Sequence, residues 1–202
     1  AQNNIIHATL DNNINIAQKP LLERVNDTRL VSCTQGTDGF YHFYLLDNQL
    51  NILKEAKVSG FNSIVDFKII KKYSLASDTH RIERIFLVVV ENNSMSHTNP
   101  TGLPYIKILN YNNLFFSTGT FPSLPSVNIE TYKLDQLKSV SKIETYLTNN
   151  KETIIGIGKT QSNKDAFFKC VFDLDIQNNH YMYLYNLIPA TSSSEYFTDI
   201  TT

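Results

Sequence analysis

No stretch of this sequence comes near the roughly eighteen consecutive apolar residues that a membrane-spanning helix needs, so no membrane span is expected. A surplus of charge of one sign is also missing: 18 Lys and Arg stand against 19 Asp and Glu, for a net charge of −1. That balance argues against the broad basic face by which proteins find nucleic acid or an anionic membrane surface, and no nucleic-acid partner is expected. There are only two cysteines, Cys33 and Cys170. Each sits in an apolar, strand-like run (Leu30-Val31-Ser32-Cys33 and Phe168-Lys169-Cys170-Val171), where a thiol packs as a small hydrophobe. A disulfide between them would mark a secreted chain. Trp is absent, and Met (2) and Gly (7) are scarce. No secretory signal stands at the start. The chain opens on Ala1, which fits a processed form or a piece of a longer protein. The compartment is left open, with the cytoplasm slightly ahead of secretion.

What is present points to strands. The 202 residues suffice for one substantial core or two small ones. The 11 Tyr and 12 Phe, with many Ile, Val and Thr, suit a pleated, half-buried surface. Asn is used 22 times, often in pairs such as Asn92-Asn93, Asn112-Asn113 and Asn178-Asn179. Asn tolerates the left-handed region and bonds its own backbone, so such pairs make turns. An AT-rich genome would inflate Asn as well.

The pattern divides the chain into an extended or loosely ordered arm (1–24), a β domain (25–190) and a polar tail or linker (191–202). Within the β domain, apolar runs alternate with polar, turn-rich stretches. Strands are expected at 28–34, 40–46, 50–58, 63–70, 83–90, 105–109, 114–121, 126–134, 139–147, 153–158, 166–174 and 180–188. Ile85 to Val90 is apolar throughout and reads as a central strand buried on both faces. The best helix candidate, Thr131 to Ser141, is opposed by Val140 and the Lys-Ile-Glu-Thr-Tyr after Ser141.

A weak repeat runs through these strands. One copy spans 63–121 and a second 139–187, and a partial copy, 30–58, precedes both. The fold class is therefore all-β with antiparallel sheets. Two architectures are expected: two to three propeller-like four-stranded units forming an incomplete ring, or a β-sandwich or barrel. The order of apolar strand, long polar loop and Gly-Leu-Pro-Tyr-Ile-Lys-Ile-Leu-Asn-Tyr-Asn (102–112) resembles blades of large scaffold propellers, such as those of class C vacuolar-sorting tethering subunits. The resemblance covers roughly 28–188 as a pattern. It implies a non-enzymatic platform that binds other protein subunits.

Motifs that carry chemistry are fragmentary. Gly156-Ile157-Gly158-Lys159-Thr160 matches the tail of a phosphate-binding loop, but the first Gly of that motif would fall at Thr153. A strand end followed by a polar loop is the expectation. His7, His42, His80, His97 and His180 show no zinc-helix spacing. His42, in an alternating aromatic strand, reads as a cross-strand residue. Asp173 and Asp175 would share one side of a strand, but no calcium-loop Gly or Glu comes after them. Two N-glycosylation sequons occur, Asn26-Asp27-Thr28 and Asn92-Asn93-Ser94, a number that chance supplies in so Asn-rich a chain. No catalytic residue, cofactor or metal ligand is assigned.

The long loops 91–104 and 117–127 are where binding is expected, since loops on a rigid β-scaffold carry recognition. Phe115, Phe116, Phe121 and Leu124 are the candidate partner-binding residues, supplying an apolar anchor unless the domain's own core absorbs them. The leading expectation is a non-catalytic protein-interaction domain in a larger assembly. The alternative is a secreted or surface β-domain binding a glycan or small ligand through Tyr-rich strands such as Tyr181 to Tyr185, and an enzyme comes third.

Overall fold

The computed structural model describes residues 20–73, 82–93, 102–116, 130–148, 151–174 and 180–189. Among these, twelve strands form three four-stranded antiparallel sheets, each a meander in chain order. None of the sheets closes into a barrel, and three open meanders fit incomplete propeller-like units. The described residues up to Phe61, with 114–116, form one compact unit, and the others a second.

The first unit holds β1 (Leu21–Asn26), β2 (Arg29–Gln35), β3 (Tyr41–Asp47) and β4 (Ile52–Val58), in the order β1-β2-β3-β4. Asx chemistry makes its turns. At the β1–β2 tip, Asn26 Oδ1 accepts the Thr28 N–H at 2.9 Å. At the β3–β4 tip, Asp47 Oδ1 accepts the N–H groups of Gln49 (2.8 Å) and Asn51 (2.9 Å), across a Leu50 with φ of 66°. Every residue from Tyr41 to Leu46 is buried, so β3 is covered on both faces. Tyr41, Phe43 and Leu45 share an apolar face with Val31, Cys33, Ala56 and Val58, while His42 and Tyr44 share the opposite face with Ser32 and Thr34. The ring of Phe61 packs edge-on against Tyr41, 5.9 Å between centroids.

The second unit holds two sheets. One is β5 (Ile64–Tyr73), β6 (Ile82–Glu91), β7 (Tyr105–Asn110) and β8 (Glu130–Lys133); the other is β9 (Leu137–Thr148), β10 (Lys151–Thr160), β11 (Asp165–Leu174) and β12 (His180–Pro189). Phe86 to Val90 are at most 1% exposed, as the continuous apolar run predicts. Phe86, Val88, Val90, Ile106 and Ile108 from the first sheet meet Ile143, Ile154, Phe168, Cys170 and Phe172 from the second in one core. Each such burial contributes about 1.5–3 kcal/mol over exposure for the larger side chains.

Polar clasps pin the free edge of β9 to the neighbouring sheet. Asp66 Oδ2 accepts the Ile143 N–H at 3.0 Å. Asn92 bonds both the N–H and the C=O of Val140. Lys68 pairs with Glu144 at 3.3 Å. An open edge invites foreign strands, and side chains that occupy its backbone groups close it.

Two strand assignments differ from the sequence pattern. The expected strand 114–121 begins instead as a helix, α1 (Tyr111–Phe116). Asn110 is the reason: its Oδ1 accepts the N–H groups of Asn112 (2.9 Å) and Asn113 (3.1 Å), so the Asn turn serves as a helix N-cap. The fourth strand of that sheet is β8, inside the expected 126–134. The partial repeat copy gains β1 as its first strand and becomes a full four-stranded unit.

Candidate functional site

Of the four residues singled out as an apolar anchor, Phe115 and Phe116 fall among the described residues. Phe115 and Phe116 are neighbours on α1, but Phe115 is buried and Phe116 is 52% exposed. A helix turns consecutive side chains about 100° apart, so only one of the two faces solvent. Phe121 and Leu124 lie outside the described residues, as do most of loops 91–104 and 117–127.

The exposed apolar side chains fall elsewhere. The large hydrophobics open to solvent among the described residues are Leu22, Phe40, Ile52, Leu53, Phe116, Tyr146 and Ile188. Five of these seven stand on strands at the margin of a sheet: Leu22 on β1, Ile52 and Leu53 on β4, Tyr146 on β9 and Ile188 on β12. On β4 the ladder to β3 passes from Lys54 opposite Leu45 directly to Ile52 opposite Leu46, so Leu53 is skipped. A bulge of this kind re-aims side chains at a sheet edge, and both apolar residues beside it are exposed.

Next to that edge lies a polar cluster that no sequence motif announces. His42 Nδ1 stands 2.8 Å from Glu55 Oε1, and its Nε2 stands 3.2 Å from Asp38 Oδ1. Lys57 pairs with Asp38 at 2.5 Å and lies over the Phe40 ring at 4.3 Å. His42 and Lys57 face each other across the β3–β4 ladder, as do Tyr44 and Glu55, so the two registers build the cluster. Gly36 leaves room for it: a Cβ there would sit 2.7 Å from His42 Nε2. Lys57 above all holds the Asp38 carboxyl well below its ordinary range; burial opposes this, and the Phe40 N–H and His42 add to it. The Tyr44 hydroxyl is buried and makes no hydrogen bond of ordinary geometry, although Glu55 is close. Burial first, and then the charges of Glu55 and Asp38, push it up to about 12.

Chemically this cluster is a tie. Both ring nitrogens of His42 face carboxylates, Glu55 on one side and Asp38 on the other. The ring joins the turn carrying Asp38 to β4. The alternation of Tyr41 to Leu46 places His42 on the sheet, but only the fold brings Asp38, Glu55 and Lys57 around it.

The other motifs resolve into structure. Gly156 to Thr160 is the end of β10; Lys159 pairs with Asp165 at 2.6 Å across a turn in which Thr160 Oγ1 accepts the Lys164 N–H. The strand-and-loop expectation is what is found. Cys33 and Cys170 are both buried free thiols. Burial raises both, Cys170 to about 12. Among the described residues no group of His, Cys, Asp and Glu is arranged to hold a metal ion, and no helix is long and apolar enough to cross a membrane. His7, His80, His97 and Asp175, and the side chains of Asp173, His180 and Tyr181 to Tyr185, lie outside the described set.

The fold thus defines an all-β protein of open four-stranded units. Compared with protein-family models, with curated proteins and with solved structures, the chain matches none of them.

Proposed function

We propose that this chain is a non-catalytic protein-interaction domain, a subunit of a larger assembly, that docks through open sheet edges and the exposed face of α1. One observation carries this: the exposed apolar side chains collect on marginal strands, with Ile52 and Leu53 adjacent on β4. Soluble proteins usually blunt such edges with charge or cover them. An edge left apolar suits the addition of a partner's strand, where backbone groups give affinity and side chains give specificity. Phe116, one of the four expected anchor residues, is half exposed. The resemblance to scaffold propellers points the same way, since such propellers are platforms for other protein subunits.

The test is affinity purification of the tagged chain from its native cells, beside an I52K/L53K double variant and F116S. Other subunits recovered in stoichiometric amount with the unaltered chain, and lost from a folded variant, support the proposal. A chain recovered alone, folded and monomeric, overturns it.

A further inference from the structure

The two sequons look alike in sequence, and the structure separates them. Asn26, Asp27 and Thr28 form the exposed tip of the β1–β2 hairpin, with the Asp27 side chain 99% exposed. Asn26 uses only its oxygen: Oδ1 accepts the Thr28 N–H at 2.9 Å and the Thr28 hydroxyl at 3.1 Å. Its Nδ2, the atom to which a glycan attaches, has no hydrogen-bond partner among the described residues. The Thr28 hydroxyl that the sequon requires is already turned to the Asn26 side chain.

Asn92 is the opposite case. Its Nδ2 donates to Val140 C=O at 2.8 Å while its Oδ1 accepts the Val140 N–H at 2.8 Å. A sugar on that nitrogen would fill the space occupied by β9 and break the clasp. A chain glycosylated at Asn92 before folding could not close this edge.

We propose that Asn26 is an acceptor for one N-linked glycan and that Asn92 is not. In the transfer, the Asn26 Nδ2 bonds to the anomeric carbon of a lipid-diphosphate-linked oligosaccharide. The anomeric carbon–oxygen bond breaks, the lipid diphosphate leaves with the electron pair, and the Nδ2 proton passes to a base of the transferase. At the hairpin tip the glycan projects into solvent and disturbs none of the ladder between β1 and β2. This modification is independent of docking through sheet edges, and it would place the chain on the secretory route.

The test uses the chain purified from its native cells. Trypsin releases the first sequon alone, as residues 25–29, and the second in the separate peptide 85–107. Mass spectrometry with and without peptide N-glycosidase, which converts a glycosylated Asn to Asp, reads each site. The expected result is a glycan on 25–29, absent from N26Q and T28A and retained in T28S, with 85–107 unmodified. An unmodified 25–29 peptide, or a glycan on Asn92, overturns the proposal.

Discussion

Asn92 grips Val140 by both backbone groups, accepting its N–H and donating to its C=O, each at 2.8 Å. The two residues are 48 positions apart. Asn92 stands just past the end of β6, and Val140 lies on β9 of the other sheet. The carboxamide imitates a strand residue and gives the β9 edge one rung of ladder.

Replacing Asn92 by Ala therefore leaves both Val140 groups without these partners. A loss of about 1–3 kcal/mol is expected, the range for orphaning partly buried polar groups. Asn92→Asp keeps the acceptor and sets an anion against the carbonyl, so it rescues none of that loss. Urea unfolding curves of the three proteins give the comparison, and an Ala variant as stable as the parent would mean that the clasp contributes nothing.

A Cβ added at Gly156 falls within the ring of Phe168, its cross-strand partner, and one at Gly158 falls against the Ser139 carbonyl. Gly156→Ala is expected to destabilise by about 1–3 kcal/mol through overpacking. Trimming the ring should relieve part of this, so Gly156→Ala with Phe168→Leu should cost less than the sum of the two changes. A double-mutant cycle by denaturant titration reads the coupling; strict additivity would show that ring and glycine do not meet.

Acid stability carries two opposite signs. The Asp38 carboxyl lies below its ordinary value of 3.8, chiefly through Lys57. Its stabilising effect is complete above that value and is lost as the pH falls below it. Asp66 is raised, by burial above all, so its contribution is most favourable at low pH and declines as the pH rises through and above 3.8. Asp38→Asn should flatten the fall in stability below about pH 4, while Asp66→Asn should remove the decline that Asp66 contributes as the pH rises through and above that value. Denaturant midpoints measured across the acid range test both; unchanged slopes in both variants would refute the assignment.

Cys33 and Cys170 should resist alkylation in the native state, because burial disfavours both thiolates. At mildly alkaline pH, iodoacetamide is expected to leave both unmodified until denaturant is added, when both react. Rapid labelling of either thiol in the native protein would contradict its burial.

Much of the architecture is legible in the residues. Alternation along Phe40 to Leu46 and the apolar run Ile85 to Val90 define strands whatever their neighbours, because a period of two and continuous burial are local properties. The strands of the last sheet, 139–188, obey the same logic. Asn110 misleads for a physical reason: an Asn whose side chain bonds forward N–H groups suits a turn or a helix cap equally, and the conformation of Tyr111 to Phe116 decides between them. The candidate site is less legible. Phe115 and Phe116 are chemically alike, and only the helix separates the buried one from the exposed one. Ile52 and Leu53 look like ordinary strand residues; their exposure comes from β4 lying at a margin and from the skipped position opposite Leu45 and Leu46.

The sequence by itself determined the strand class, the strands of the last sheet and the lack of one-sided charge, since each rests on composition or local period. Tertiary structure alone decided which strands became edges, which of two sequons stayed open, and that His42 on β3 meets Glu55 on β4. Those are relations between residues far apart in the chain or on different strands, and they are set by register and packing, which no local pattern encodes.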